Sequence, residues 1–145
     1  MSLFDKLQSH KNDKISTEKQ AGKDFMEKNK GNAGVQELDN GIQYLIVKEG
    51  SGANPKPTSA VKAHYKGSLL SGKEFDSSYR RNQPFTAPLS ALIKGWQLVV
   101  PMMSLGSIWR LWIPSDLAYG DRGAGGDIPG GATLEFEIEL LEILD

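Results

Sequence analysis

The chain has 145 residues and a net charge of -1, from 17 basic and 18 acidic residues. This length suits one domain with a buried core, and the balanced charge argues against a nucleic-acid-binding face. The absence of cysteine excludes disulfides, thiol catalysis and thiolate metal sites. The longest apolar run, 98–103, is far too short to cross a membrane. We therefore expect no membrane partner and a cytoplasmic location, or a periplasmic one if an upstream targeting segment has been removed.

Residues 1–34 are charged, show no strand pattern and predict an N-terminal helical arm. Thr17 and Gln20 have the spacing of a capping box, and Gly31 is a typical residue after a helix end. These signals predict one helix over 17–30, with a looser helix or a disordered segment before it. The arm has no sustained heptads, so we expect a monomer, with a weak dimer through the arm as the alternative.

Residues 35–145 carry strand signals and form the second predicted domain. Asn40-Gly41 lies between two apolar runs and predicts a β-hairpin. Residues 93–100 are the only helix candidate in this domain, and Pro101 ends it. Alternation of apolar and polar residues predicts further strands at 61–66, 74–77, 108–113 and 134–140. A bulge or a strand end is expected at Leu140-Leu141, where the alternation breaks.

These elements predict an α+β fold, in which a twisted antiparallel sheet of about five strands half-wraps one short helix and follows an N-terminal helix. One helix cannot cover a whole sheet face, and the residues left on that face are aromatic, so a concave apolar pocket is expected. Trp109 is expected in the core and Trp112 on the opposite face. Glu135, Glu137 and Glu139 alternate with apolar residues and predict a solvated face.

Familiar catalytic and cofactor motifs are missing from the sequence. His10 and His64 are far apart, so no metal site is expected. The glycine-rich segment 120–126 lacks the Lys-Ser/Thr of a phosphate-binding loop and predicts a flexible flap instead. We expect neither a metal nor a cofactor.

Short motifs in the second domain combine aromatic residues with turn-forming residues. In chain order they are His64-Tyr-Lys-Gly67, Phe75-Asp-Ser-Ser78, Arg81-Asn-Gln-Pro-Phe85, Ile93-Lys-Gly-Trp96, Ala118-Tyr-Gly120, Ile128-Pro129 and Ala132-Thr-Leu-Glu-Phe136. Their order and spacing resemble the FKBP-type peptidyl-prolyl cis-trans isomerases, over about residues 38–144. The helix at 17–30 and the hairpin resemble the end of the arm in the bacterial branch named after the macrophage infectivity potentiator, Mip.

The resemblance implies a prolyl pocket between the sheet and the short helix. Trp96 would form its floor, and Ile128 would enter from the flap. The implied walls are Tyr65, Phe75, Phe85, Leu92, Ile93 and Phe136.

The resemblance also implies the polar groups of the site. The Tyr119 hydroxyl and the backbone N–H of Ile93 would donate to substrate carbonyls. Asp76 would lie at the rim, hydrogen-bonded to Tyr65 and paired with Arg81. Asp76, Tyr119 and Tyr65 are therefore the implied catalytic residues.

The implied activity is rotation of X-Pro bonds in peptides and folding proteins, without a cofactor. A chaperone-like module that holds prolyl segments with little turnover is the alternative. Macrolides of the tacrolimus or rapamycin type would be further ligands. The chain departs from the family pattern at Ala124-Gly125 and Gly130-Gly131, where larger residues are common, and at the short segment between Phe85 and Ile93. A small flap predicts fewer contacts with a macrolide or peptide.

Overall fold

The N-terminal helix is longer than the sequence predicts. The computed structural model describes residues 2–145, and Met1 of the predicted arm lies outside them. Helix α1 runs continuously from Leu3 to Asn29, so the helix predicted at 17–30 is the second half of one longer helix, and of the two alternatives for the segment before it the helix is present. Ser2 provides the cap, because its hydroxyl accepts a hydrogen bond from the Asp5 N–H at 3.1 Å. Thr17 does not cap a helix: its hydroxyl donates to the carbonyl of Asp13 one turn earlier.

The two halves of α1 differ in their surroundings. Leu3, Phe4 and Leu7, in the first two turns, are exposed by 73%, 73% and 60%. The second half buries Gly22 and Asn29 against the rest of the protein. Within the described residues, no helix is long and apolar enough to cross a lipid bilayer.

The sheet confirms the α+β prediction but has seven strands rather than about five. They are β1 Gln36–Glu37, β2 Gln43–Lys48, β3 Ala60–Leu69, β4 Glu74–Ser77, β5 Phe85–Pro88, β6 Ile108–Ile113 and β7 Leu134–Leu144. All pairs are antiparallel, in the order β1-β2-β6-β7-β3-β4, and β5 also pairs with β3. The sequence missed β5, a four-residue strand that ends in proline. It forms because the long edge of β3 is shared, with β5 along Ala60–Ala63 and β4 along Lys66–Ser68.

Both irregular features predicted for the sheet are present. The hairpin turns at Gly41, whose φ of +92° is the left-handed conformation that glycine adopts without strain. In β7, Leu140 pairs with Ala63 and Glu142 pairs with Lys62, so Leu141 is the extra residue of a bulge.

The short helix α2, Lys94–Val99, lies against the concave face of the sheet. It is slightly shorter than the predicted 93–100. Pro101 ends it as expected, inside a 3₁₀ turn over Val100–Met102. Trp96, Val99 and Val100 are buried in the core that α2 shares with the sheet.

The outer face of the sheet is partly covered by α1. Trp109 is in the core, as predicted, and Trp112 on the other face is only 4% exposed, with its ring centroid 6.4 Å from that of Phe25. The predicted solvated glutamate face is wrong, because its carboxylates are half-buried and partnered. Trp112, Arg110 and Tyr79 donate hydrogen bonds to Glu135, Glu137 and Glu139, respectively.

A buried amide pair joins the end of α1 to β2. The Asn29 side-chain amide donates to the Gln43 side-chain carbonyl at 2.9 Å, and Gln43 donates to the carbonyl of Met26 at 2.8 Å. Both side chains are at most 5% exposed. A buried amide that loses its partner costs free energy, so this pair ties α1 to the sheet.

We expect Asn29→Ala to lower the free energy of unfolding by about 1–3 kcal/mol, because it leaves the buried carbonyl of Gln43 without a donor. Urea titration followed by circular dichroism measures the change. The exposed Gln20→Ala should shift the value by less than about 0.5 kcal/mol. Equal effects of the two substitutions would contradict a structural role for the amide pair.

Candidate active site

Trp96, in the first turn of α2, is surrounded by aromatic rings. The ring centroid of Trp96 lies 5.4 Å from that of Tyr65, 6.3 Å from that of Phe85 and 5.5 Å from that of Phe136. All three rings meet the indole edge-on, at interplanar angles of 77° to 88°. Edge-to-face pairs are favourable beyond the apolar area they bury, so the indole is held in one orientation.

Above this cluster lies a cavity of about 280 Å³. It is lined by Tyr65, Phe75, Asp76, Phe85, Ala91, Leu92, Ile93, Trp96, Tyr119 and Phe136. Two larger grooves, of about 580 and 590 Å³, run along α1, but most of the described residues that line them are charged or polar, and none of these is a phenylalanine, tyrosine or tryptophan. The smaller cavity is therefore the candidate site, with the volume of a pocket for a small apolar group.

Two predicted residues do not line the cavity, and one lining residue was missed. Arg81 stands behind Asp76. Ile128 is 7% exposed in the core, where its N–H and carbonyl pair with Ala124 across a turn. Ala91 gave no sequence signal, because a 3₁₀ turn over Leu89–Ala91 brings its small side chain to the wall.

The glycine of the first motif gives two wall rings their room. A methyl group on Gly67 would lie 2.6 Å from the ring of Phe75 and 2.8 Å from that of Phe136. These two rings pack edge-on, with centroids 5.7 Å apart. Gly67 therefore lets β3 pass directly beneath the cavity wall.

Asp76 is the charged group at the rim. Its carboxylate accepts hydrogen bonds from the Tyr65 hydroxyl and the Arg81 guanidinium, which itself lies 3.3 Å from the Tyr65 oxygen. Partial burial of the Asp76 carboxyl favours its neutral form, but these hydrogen bonds and the Arg81 charge outweigh burial and lower its pKa. Burial and the bond to Asp76 raise the pKa of Tyr65. Asp76 is therefore ionised and Tyr65 neutral at pH 7.

Two residues that line the cavity, Ile93 and Tyr119, carry donors that have no hydrogen-bond acceptor among the described residues 2–145. Ile93 precedes α2 as its N-cap, and among residues 2–145 its N–H takes part in no backbone hydrogen bond. Tyr119 lines the rim and is 39% exposed. Burial and the nearby charge of Asp76 raise the pKa of Tyr119, so its hydroxyl keeps its proton. Each group could donate to a carbonyl of a bound chain.

Among the residues that the structure describes, no three histidine, aspartate or glutamate side chains lie close enough to share a metal ion. The arrangement could accept an apolar ring in the cavity and offers hydrogen-bond donors at its rim. A twisted sheet half-wrapped around one helix, with such a cavity between them, defines an α+β domain with an apolar binding pocket.

Comparison with known proteins gives the family. Residues 51–141 match the model described as "FKBP-type peptidyl-prolyl cis-trans isomerase", and residues 1–46 match "Domain amino terminal to FKBP-type peptidyl-prolyl isomerase". The chain belongs to the FKBP-type peptidyl-prolyl cis-trans isomerase family. As predicted, it resembles the bacterial members that carry an amino-terminal extension.

Individual relatives agree with this assignment. The chain is 45% identical over 123 residues to the FKBP-type 22 kDa peptidyl-prolyl cis-trans isomerase of Escherichia coli, covering 85% of this chain and 60% of the relative. It is 37% identical over 141 residues to the outer membrane protein MIP of Legionella longbeachae, covering 97% and 60%. The crystal structure of FkpA from Escherichia coli superposes with a TM-score of 0.90 at 36% identity, covering 94% and 64%. The chain thus spans somewhat more than half of the length of these proteins.

The Asp76 site has a pH dependence with a definite sign. A carboxyl whose pKa is lowered by folding stabilises the protein above its unfolded pKa of about 4, and this contribution is lost as the pH falls through the folded value. We expect Asp76→Asn to lower the free energy of unfolding at pH 7, because it removes the ionic contribution of the Asp76–Arg81 pair. The loss should be only about 1 kcal/mol, since the pair is half-exposed and solvent screens it.

At about pH 3, below the unfolded pKa of about 4, we expect a smaller difference between the parent chain and Asp76→Asn, because part of the stability contributed by the lowered pKa of Asp76 has then been lost. Urea titrations at both pH values measure this change. The exposed Asp13→Asn on α1 is the control and should behave like the parent at both. A difference for Asp76→Asn that does not depend on pH would contradict the ionic arrangement.

Proposed function

We propose that the chain is a peptidyl-prolyl cis-trans isomerase, which accelerates rotation about X-Pro bonds in peptides and folding proteins. The observation that supports this most directly is the cavity of about 280 Å³ over Trp96, walled by aromatic rings. Such a cavity accepts a proline ring and excludes water. The family assignment supports the same activity.

Rotation of a prolyl bond needs a dry site rather than a nucleophile. The barrier is about 20 kcal/mol, because resonance gives the C–N bond double-bond character. The twisted transition state loses that resonance, and its carbonyl is less polar than in the planar ground state. An apolar cavity therefore favours the transition state. A turnover of about 100 per second requires a reduction of roughly 5 kcal/mol.

The catalytic roles follow from where each group stands. The Tyr119 hydroxyl and the Ile93 N–H would donate to carbonyls of the bound chain and hold the prolyl ring over Trp96. Asp76 would keep the Tyr65 hydroxyl oriented at the wall, while Arg81 keeps Asp76 ionised. Ile128 would act only from behind the wall, because it is part of the core.

We also propose a functional division at residue 34. Helix α1 ends at Asn29 within the arm, 1–34. The hairpin at 35–48 belongs to the isomerase domain, 35–145, because β2 pairs with β6 along Gln43–Lys48.

A chaperone-like module with little turnover is the second candidate. The exposed apolar side chains at the start of α1 favour it, because Leu3, Phe4 and Leu7 could contact unfolded chains. The assay described below separates the two functions, since a holding module would bind prolyl peptides without accelerating their isomerisation.

We propose that macrolides of the tacrolimus or rapamycin type bind at the same apolar cavity, but weakly, because the flap carries Ala124-Gly125 and Gly130-Gly131 and so offers little apolar surface. Competition by tacrolimus in the isomerase assay tests this, and tight inhibition would contradict it.

The cell envelope is the proposed place of action, as in the periplasmic alternative from the sequence. The name of the Legionella longbeachae relative, an outer membrane protein, supports an envelope location. Fractionation of the native organism with an antibody to the chain tests the proposal, and recovery only in the cytoplasm would contradict it.

We expect Trp96→Leu to lower kcat/KM on a short X-Pro peptide at least about tenfold, because the floor of the cavity is lost. Trp109→Leu is the matched control, since it removes an indole that does not line the cavity and should leave kcat/KM within about twofold. Both variants are first checked for a folded circular dichroism spectrum. A folded parent chain that binds the peptide but gives no acceleration would favour the chaperone function.

We expect a solution mass near that of one chain at micromolar concentration. The apolar patch exposed at the start of α1 consists of Leu3, Phe4 and Leu7, whereas a standard interface uses about 20–30 residues on each side. Light scattering coupled to size-exclusion chromatography measures the mass. A constant mass of two chains over a tenfold dilution would instead indicate a stable dimer through the arm.

A further inference from the structure

Helix α1 lies directly against the flap loop, residues 119–131, which begins with Tyr119. A methyl group on Gly131 would lie 2.7 Å from the Ile15 carbonyl oxygen and 3.1 Å from Cγ of Lys19. A methyl group on Gly130 would meet the Asp121 carbonyl of the loop itself first, and would lie 3.2 Å from Cγ1 of Ile15. Gly131 therefore gives α1 the room to touch the loop, while Gly130 mainly lets the loop fold back against Asp121.

An ion pair adds a second contact between the same two elements. Nζ of Lys19 lies 2.7 Å from Oδ1 of Asp121, two residues after Tyr119. Both side chains are largely exposed, so the pair contributes orientation more than stability.

One turn further along α1, the helix contacts Thr133, which lies between the flap loop and β7. Gly22 is buried, and a methyl group on it would lie 2.2 Å from the Thr133 hydroxyl oxygen and 3.1 Å from its Cβ. Thr133 directly precedes β7, which carries the wall residue Phe136. The approach at Gly22 therefore sets how close α1 can come to the flap loop.

Hydrogen bonds inside the flap loop carry these contacts to its start. The N–H of Gly131 donates to the carbonyl of Gly120 at 2.9 Å, and that of Gly123 donates to the carbonyl of Tyr119 at 3.1 Å. A displacement of the loop at Gly131 therefore moves the backbone next to Tyr119.

We propose that α1 is a strut for the active site, and that Ile15, Lys19 and Gly22 are positioning residues that hold the flap loop and thereby the Tyr119 hydroxyl. This role rests on the proposed isomerase function, to which it adds a dependence of the site on the N-terminal helix. The arm then acts on the cavity within the same chain, and its contact with the flap loop sets how the rim donor meets a substrate carbonyl.

The test is Gly22→Ala, which adds one methyl group at the closest approach and improves the helix propensity of α1. We expect α1 to be pushed away, so that hydrogen exchange of the Gly131 amide becomes about tenfold faster and kcat/KM falls about fivefold. Thr133→Ala in the same chain removes the obstructing hydroxyl and should restore both values to within about twofold. Ala21→Gly, at the exposed neighbouring position, weakens the helix without touching the contact and should change neither value.

A double-mutant cycle tests whether the effect passes through Tyr119. In a Tyr119→Phe chain, Gly22→Ala should lower kcat/KM by no more than about 1.5-fold, because the hydroxyl it would displace is already gone. Ile15→Ala combined with Lys19→Ala, at partly exposed positions, should reproduce the faster Gly131 exchange without a risk to folding.

Each other outcome has a defined meaning. Faster Gly131 exchange with unchanged kcat/KM, or an equal loss in the Tyr119→Phe chain, would overturn the positioning role and leave the isomerase function standing. Gly131 exchange unaffected by both sets of substitutions would show that α1 does not hold the loop. A parent chain without isomerase activity would contradict the proposed function. The exchange measurements would then test only whether α1 holds the flap loop.

Discussion

The close approach of α2 to β6 is the constraint on which the site depends. A methyl group on Gly95 would lie 2.6 Å from two carbon atoms of the Ile113 side chain, so only glycine allows the helix to lie this near the sheet. That approach places the neighbouring Trp96 under the sheet, where three rings meet its edges. The buried indole forms part of the cavity lining. A tightly packed floor keeps its shape when a ligand leaves, which lowers the entropy lost on binding.

Local patterns predicted most of the sheet, because strand alternation and turn residues act over a few positions. The hairpin at Asn40-Gly41, β4 and the bulge at Leu141 could all be read from them. The missed strand β5 depends instead on a free stretch of β3 edge, a property of the folded sheet. The start of α1 was missed for another reason. The Thr17 signal had the right spacing but lay inside a helix, where its hydroxyl bonds backward to Asp13.

For the candidate site too, the predictions succeeded where local motifs carry the signal and failed where the folded structure decides. Apart from Arg81 and Ile128, the site residues predicted from the family motifs line one cavity. The motifs follow one another along the chain in the same order as the elements that carry these residues. Ala91 enters the wall through a 3₁₀ turn that no residue pattern marks. Ile128 leaves it because a turn pairs this residue with Ala124 and directs its side chain into the core. The partners of Glu135, Glu137 and Glu139 come from the neighbouring strand β6 and from a loop, so alternation alone could not reveal them.

The glycines of the flap are positions where the chain departs from the family pattern, and the contact between the flap and α1 gives the departure at Gly131 a structural reason. From the family pattern alone, Gly130-Gly131 looked like a loss of contact surface for a ligand. In the folded protein, a methyl group on Gly131 would lie 2.7 Å from the Ile15 carbonyl oxygen, whereas one on Gly130 would first meet the Asp121 carbonyl of the flap loop itself. Gly131 thus exchanges contact with a ligand for contact with the arm. A chain with a larger residue at this position could not dock its N-terminal helix in this way, so the flap and the arm constrain each other's sequence.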